Sequence, residues 1–117
     1  MKRATTGNIV LLSTDAVLCT SLISLFEARG HRVTADVEVA SRAGYQTSCV
    51  VVDLDRPSSP MSCEWLEAHF PQVPCVVLSG SPWSGPHAAA SLSHGYFLPK
   101  PVAALDLTAM VEGVIRD

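Results

Sequence analysis

The sequence predicts an α/β protein built on one doubly wound parallel sheet of five strands. Short, continuously apolar runs recur along the chain, which is typical of strands that helices cover on both faces. Between them lie segments with apolar residues at helical spacing, several of which open with capping residues or close at glycine. Because crossovers between consecutive parallel strands are right-handed, this alternation predicts helices on both sides of the sheet.

Composition agrees with a single globular domain. The chain has 117 residues, of which 48% are hydrophobic and only 16% are charged, against about 25% charged in a typical soluble domain. These values exclude disorder, collagen and coiled coil. No apolar run reaches the ~18 residues of a membrane span, and the run after the basic N-terminus is too short for a signal peptide. We therefore expect a cytoplasmic protein that makes no contact with membranes.

Charge and cysteine content exclude two further classes of site. The formal net charge is −3, from eight Lys and Arg against eleven Asp and Glu, and the basic residues are scattered singly. This distribution gives no electrostatic footprint for nucleic acid, so we expect the domain by itself to bind none. The four cysteines have no CxxC spacing for zinc. They are predicted to be buried thiols, because Cys49 and Cys75 lie in apolar strand-like runs and a free cysteine behaves as a small hydrophobic residue.

The first half of the chain predicts a βαβ unit followed by a very short helix. Asn8–Leu12 is a continuous apolar strand, and Ser13–Asp15 supplies three residues that can cap a helix. The apolar face of that helix and the glycine that ends it are Leu18, Leu22, Leu25, Phe26 and Gly30. A second strand is expected at His31–Ala35. The weakly patterned stretch that follows, around Ala40–Gly44, has room for only a turn or two of helix.

The second half of the chain repeats the alternation. Strands are expected at Cys49–Val52, Cys75–Leu78 and Tyr96–Leu98, and helices at Cys63–Phe70, His87–Ser93 and Ala104–Ile115. Pro82, Gly85 and Pro86 are expected to erode the helix before the fifth strand. Trp83, in the same loop, fits an exposed contact residue and a core residue equally well.

Polar residues follow the predicted strands at the points where the strands end. The set comprises Ser13, Thr14 and Asp15 after the first strand, Asp53 and Asp55 after the third, Ser79 after the fourth, and Lys100-Pro101 after the fifth. The carboxyl ends of parallel strands lie at one edge of a sheet, where open α/β proteins place their sites. The sequence therefore predicts that carboxylates, hydroxyls and a lysine converge there.

This constellation resembles the receiver domain of two-component response regulators, and the resemblance extends from Ile9 to about Arg116. It implies a flavodoxin-like fold with strand order 2-1-3-4-5. By this resemblance Asp53, in Val50-Val51-Val52-Asp53, is the phosphoacceptor, and Pro57 stands where the family has a proline. The remaining matches are Ser79 as the hydroxyl that contacts the phosphoryl group and rearranges on activation, Lys100 as its ion-pair partner, Pro101 as a candidate cis proline, and Phe97 as the aromatic switch.

The chemistry of an acyl phosphate agrees with these residue types. A carboxylate oxygen attacks phosphorus in line, so we expect Asp53 to be ionised and exposed. Lys100 and the Ser79 hydroxyl would stabilise charge on the phosphoryl oxygens. The resemblance implies a histidine kinase or phosphotransfer protein as donor and an unidentified downstream protein as receiver of the signal. A homodimer is left open, and the domain is expected to be no enzyme beyond slow self-catalysed phosphoryl transfer.

The segment after the first strand departs from the family. Where receiver domains have two acidic residues that hold Mg²⁺, this chain has Ser13 and Thr14, and Asp15 comes one residue late. The remaining candidate ligands are Asp53, the backbone carbonyl of Asp55, and Asp15 or Thr14. Because Mg²⁺ is poorly held without carboxylates, we expect weak binding of the metal.

Three functional hypotheses stay open. The first is an atypical receiver that is phosphorylated on Asp53, and the second is a pseudo-receiver that acts as a phosphorylation-independent interaction module. The third takes Asp53 and Asp55 as the DxD motif of a haloacid-dehalogenase-type phosphatase, although Pro57 stands where that family has a hydroxyl residue. No output domain is expected, so the chain would be a single-domain regulator or a fragment. The four histidines are expected at the surface or in loops.

Overall fold

A computed structural model describes residues 6–42, 46–56 and 62–115. Five parallel strands form one sheet in the order β2-β1-β3-β4-β5, which confirms the predicted fold. The strands are β1 (Asn8–Leu12), β2 (Arg32–Thr34), β3 (Cys49–Asp53), β4 (Cys75–Ser79) and β5 (Gly95–Pro99). The helices are α1 (Ala16–Ala28), α2 (Val37–Ala40), α3 (Cys63–His69), α4 (Ser84–Ala90) and α5 (Ala104–Ile115).

The continuous apolar character of the central strands has a direct cause, since alternate residues enter two separate cores. One core combines Val10, Leu12, Val50, Val52 and Val77 with side chains of α2, α3 and α4. The other combines Ile9, Leu11, Val51, Val76 and Leu78 with side chains of α1 and α5. Because side chains alternate across a strand, every residue of β3 and β4 is buried.

Two helices differ from the sequence-based expectation. The short helix expected around Ala40–Gly44 lies earlier, at Val37–Ala40, because the Asp36 carboxylate accepts a 2.9 Å hydrogen bond from the Glu38 N–H and caps it there. Residues 43 and 44 lie outside the described part of the chain. The helix expected at His87–Ser93 also begins earlier, at Ser84.

The earlier start of α4 shows that the predicted erosion by Gly85 and Pro86 was wrong. The N–H groups of a first helical turn have no partner within the helix, so Pro86 costs no hydrogen bond there. Gly85 is buried, and a Cβ added to it would come closer than 3.0 Å to three carbons of the Phe97 ring. Its missing side chain is therefore required by packing. Trp83, at the start of α4, is 83% exposed, which decides in favour of an exposed residue.

His31 lies in the loop between α1 and β2, which agrees with the expected loop position, but it is buried rather than at the surface. Its Nδ1 accepts a 3.2 Å hydrogen bond from the Gly7 N–H, and its Nε2 lies 2.9 Å from Glu112 Oε2. Glu112 also accepts two hydrogen bonds from the Arg29 guanidinium, at 2.6 and 2.7 Å. This group joins the chain between α1 and β2 to α5. The other three histidines are exposed.

The four cysteines are free thiols, and the predicted burial is confirmed for two of them. Cys49 and Cys75 lie buried in neighbouring central strands, whereas Cys19 on α1 and Cys63 on α3 are half-buried. Burial raises the pKa of the Cys75 thiol to about 12 and shifts the pKa of Cys49 in the same direction. Neither buried thiol is therefore a nucleophile at neutral pH.

Candidate functional site

The loops after β1, β3, β4 and β5 meet at the carboxyl edge of the sheet. Asp53 is the last residue of β3 and Lys100 follows β5, and the Lys100 ammonium donates a 2.7 Å hydrogen bond to Asp53 Oδ1. From the end of β1, the Ser13 hydroxyl donates a 2.8 Å hydrogen bond to Asp53 Oδ2. The structure thus joins three of the residues that the sequence analysis placed at this edge.

Asp53 is completely buried, which corrects the expectation that it is exposed. Besides Lys100 and Ser13, the backbone N–H groups of Asp55 and Arg56 donate to Oδ1 at 3.1 and 3.3 Å. Burial acts to raise the pKa of Asp53, but the hydrogen bonds from Lys100 and Ser13 outweigh it and hold the pKa below its ordinary value. The carboxylate is therefore ionised and surrounded by donors.

Ser79 contacts Asp55 instead of Asp53. Its hydroxyl donates a 2.9 Å hydrogen bond to Asp55 Oδ1 and accepts one of 3.0 Å from the Ser81 N–H. The second carboxylate oxygen of Asp55 accepts a 2.8 Å hydrogen bond from the Gly80 N–H and lies 3.2 Å from Lys100 Nζ. The Gly80 N–H is the main cause of the lowered pKa of Asp55, and burial only partly opposes it.

The Asp55 side chain is the site residue whose role sequence reasoning missed. Under the receiver hypothesis only its backbone carbonyl had a role, as a metal ligand. The signal was the place of Asp55, two residues after the end of β3 and at the same edge of the sheet as Ser79 and Lys100. Lys100 therefore lies between two carboxylates. Burial acts to lower the pKa of Lys100, but these two hydrogen-bond partners raise it above its ordinary value.

The side chains of the three residues after β1 are all engaged in hydrogen bonds within the protein. Besides donating to Asp53, the Ser13 hydroxyl accepts a 3.0 Å hydrogen bond from the Asp15 N–H. The Thr14 hydroxyl donates to the Arg56 carbonyl at 3.2 Å. The Asp15 carboxylate accepts from the Leu18 N–H at 3.1 Å and so caps α1. Capping uses one oxygen of Asp15 and explains why an acidic residue stands at this position.

This donor set does not fit a tightly held Mg²⁺. The ion requires close to six oxygen ligands in octahedral geometry and favours carboxylates. Asp53 is the carboxylate at the centre of the site, and hydrogen-bond donors already surround both of its oxygens. Across residues 6–42, 46–56 and 62–115, no three His, Cys, Asp or Glu side chains are grouped so that they could hold a metal. The positive charge beside Asp53 comes from Lys100.

The remaining matched residues surround the site. The Lys100–Pro101 peptide bond is cis. Phe97 on β5 is half-buried and packs against the core shared by α2, α3 and α4. Pro57 lies outside the described residues. None of the described helices is long and apolar enough to cross a membrane.

Comparison with known proteins gives a consistent result at the level of the fold. No family model and no curated protein sequence matches the chain. Among solved structures, a two-component response regulator from Clostridium difficile superposes with a TM-score of 0.73 at 18% identity, over 95% of this chain and 96% of that one. The receiver domain of a sensor histidine kinase from Pseudomonas aeruginosa PAO1 superposes with a TM-score of 0.74 at 20% identity, over 94% and 98%. The chain has the receiver-domain fold.

Similarity to a longer protein extends this finding. Full-length FixJ from B. japonicum is 26% identical, with a TM-score of 0.70, and matches 98% of this chain but only 59% of its own length. The receiver fold here thus corresponds to part of that protein. The Pseudomonas receiver domain has a magnesium ion coordinated in its active site cleft.

Proposed function

We propose that this chain is an atypical receiver module in which Asp53 accepts a phosphoryl group from a histidine kinase or phosphotransfer protein. The observation that carries the proposal is the 2.7 Å pair between Asp53 and Lys100, with the Ser79 hydroxyl at the end of the adjacent strand. A carboxylate nucleophile, an ammonium and a hydroxyl at one sheet edge are the groups that an acyl phosphate requires. The signal then passes to a downstream protein by surface contact.

In the proposed reaction, a carboxylate oxygen of Asp53 forms the new bond to phosphorus. The bond between phosphorus and the donor's leaving atom breaks, and its electron pair leaves with the donor. Lys100 stays beside the growing negative charge of the phosphoryl oxygens. Because Asp53 is completely buried, the Ser13 hydroxyl must first rotate off Oδ2.

This opening step and the poor fit to Mg²⁺ both favour slow phosphorylation. A hydrogen bond to a charged group contributes about 1.5–3 kcal/mol, so releasing Ser13 alone slows attack by roughly a factor of ten or more. We expect Mg²⁺ to bind at millimolar concentration or more weakly. The domain would be a phosphoacceptor with at most slow self-catalysed transfer and would turn over no separate substrate.

The second candidate is a phosphorylation-independent interaction module. The observation that favours it is the burial of Asp53. Its carboxylate has no exposed surface and accepts hydrogen bonds from four donors. In this case the ion pair would join the ends of β3 and β5, and the domain would act through its surface alone. For both candidates we expect partner contacts on α1 or on the face of α4 and β5, where Trp83 is exposed.

Labelling distinguishes the two candidates. The chain is incubated with acetyl phosphate and Mg²⁺, and intact mass and peptide mapping locate the phosphoryl group. For a receiver we expect slow labelling on Asp53 that the substitution Asp53→Asn abolishes. Exposed Asp106→Asn is the matched control and should leave labelling unchanged. No labelling after hours at high donor concentration, with folding intact, would favour the interaction module.

A further inference from the structure

The Asp55 carboxylate holds two of the groups that an acyl phosphate on Asp53 would need. Ser79 donates its hydroxyl proton to Asp55 at 2.9 Å, and its lone pair accepts the Ser81 N–H at 3.0 Å. Lys100 lies 2.7 Å from Asp53 and 3.2 Å from Asp55, so it is shared between them. In this arrangement the Ser79 hydroxyl donates its proton to Asp55 and cannot donate it to Asp53.

We propose that Asp55 is a positioning residue that holds Ser79 and Lys100 in the resting arrangement and so sets the energetic threshold for their move to a phosphorylated Asp53. The inference rests on the proposed function of Asp53. It follows from competition between two carboxylates for the same donors. A phosphoryl group would add negative charge at Asp53, which attracts Lys100 away from Asp55 and leaves Asp55 with fewer donors.

The backbone supports the same assignment. The Gly80 N–H donates to Asp55 Oδ2 at 2.8 Å, so Asp55 also fixes the first residue of the loop between β4 and α4. Release of Ser79 therefore changes the contacts of this loop, which leads to exposed Trp83 and to α4. Asp55 thus connects the carboxyl edge of the sheet to the surface on which we expect partners.

The first part of the test uses unphosphorylated protein and two variants, Asp55→Ala and Asp55→Asn. Asparagine keeps the shape and one acceptor oxygen but removes the charge. We expect the amide NMR signals of Gly80 and Ser81 to shift strongly in Asp55→Ala and less in Asp55→Asn. Asp106→Asn, which removes the same charge from an exposed residue of α5, should leave both signals in place. Unmoved Gly80 and Ser81 signals in folded Asp55→Ala would overturn the proposal.

The second part measures the affinity for BeF₃⁻ with Mg²⁺. A charge-assisted hydrogen bond contributes at least about 1.5 kcal/mol, so its removal in Asp55→Ala should raise the affinity about tenfold. Asp55→Asn should give a smaller gain. If Asp55→Ala and Asp55→Asn bind BeF₃⁻ equally well, the loss of the Asp55 charge alone explains the higher affinity. That result would overturn the proposal that Asp55 holds the Ser79 hydroxyl. Affinities equal to that of the unaltered chain would overturn the whole proposal.

The two parts also separate this inference from the proposed function. If no variant binds BeF₃⁻ and acetyl phosphate does not label Asp53, the phosphoacceptor function fails. The amide signals of Gly80 and Ser81 then decide whether Asp55 holds the Ser79 loop, since they are recorded without any phosphoryl analogue. Circular dichroism confirms folding, and Asp55→Asn serves as the conservative variant if Asp55→Ala does not fold.

Discussion

At the scale of single residues, the pair of Asp53 and Lys100 dominates the energetics of the site. Asp53 is fully buried and Lys100 is only 23% exposed at its side chain. Removing one member of such a pair leaves the other charge without its main partner in a region that excludes water. The free energy of unfolding should therefore depend on Lys100, independently of any function of this residue.

We expect Lys100→Met to lower the free energy of unfolding by about 2 kcal/mol, below the value for a fully buried pair because Asp53 keeps Ser13 and two backbone donors. Urea denaturation at pH 7 measures the change. The double variant Asp53→Asn, Lys100→Met should recover part of the loss, since no unpaired carboxylate remains. Equal stability of Lys100→Met and the unaltered chain would contradict the burial of Asp53.

Ser13 is the second residue with a measurable consequence. Its hydroxyl lies 2.8 Å from Asp53 Oδ2, so a carboxylate at this position would stand beside Asp53. We expect Ser13→Asp, Thr14→Asp to bind Mg²⁺ at least about tenfold more tightly, because each added charge attracts the cation. Without metal the double variant should be less stable, because its carboxylates repel. Titration calorimetry measures the Mg²⁺ affinity, and urea denaturation without metal measures the stability. Exposed Ser24→Asp is the control, and unchanged Mg²⁺ affinity would contradict the alignment of β1.

At the scale of elements, the contact between α4 and β5 depends on Gly85. We expect Gly85→Ala to lower stability by about 1–3 kcal/mol, because the new methyl group overlaps the Phe97 ring. Gly113→Ala in α5 is the matched control, since its added Cβ meets no atom within 4 Å. It should gain up to about 1 kcal/mol from helix propensity. Phe97→Leu should relieve the Gly85→Ala penalty; equal effects of the two alanines would contradict this packing.

The elements also show what a sequence can predict. The strands and α1 and α5 followed from apolar runs and helical periodicity, which are local signals. The start of α4 did not, because glycine and proline usually break helices and only the ring of Phe97 explains Gly85. The burial of His31 was not predicted either, since its partner Glu112 is far away along the chain. The carboxyl-edge residues were predicted from topology, whereas the burial of Asp53 and the side-chain contacts of Asp55 depend on exact distances.

At the scale of the whole molecule, acid stability should depend on carboxylates at both ends of the sheet. The Arg29 hydrogen bonds, with help from His31 and despite burial, lower the pKa of Glu112 from 4.5 to about 2. A lowered pKa in the folded state means that the unfolded chain binds protons more readily. This contribution is complete above about pH 4.5 and is lost as the pH falls towards 2. Asp53 and Asp55 act in the same direction.

We therefore expect Glu112→Gln to be less stable than the unaltered chain at pH 7 and to lose less stability between pH 4.5 and 2. Urea denaturation at a series of pH values measures both slopes. Glu64→Gln on α3, which makes the same substitution at an exposed residue away from Arg29, is the control. Parallel slopes for Glu112→Gln and the unaltered chain would contradict the ion pair with Arg29.

The reaction rates of the free cysteines can report how often parts of the protein open to solvent. A thiol reacts with a disulfide reagent only when it is both exposed and deprotonated. In the native state Cys75 is buried, and the pKa of its thiol is about 12, so it meets neither condition at neutral pH. Modification of Cys49 and Cys75 should therefore require unfolding of the central strands. Cys19, whose sulfur lies 3.6 Å from the Ser13 carbonyl, belongs to the rim of the site. We expect Cys19 to react faster, at a rate that reports local movements of the site. One labelling experiment therefore gives two rates, one for local movement at the site and one for unfolding of the central strands.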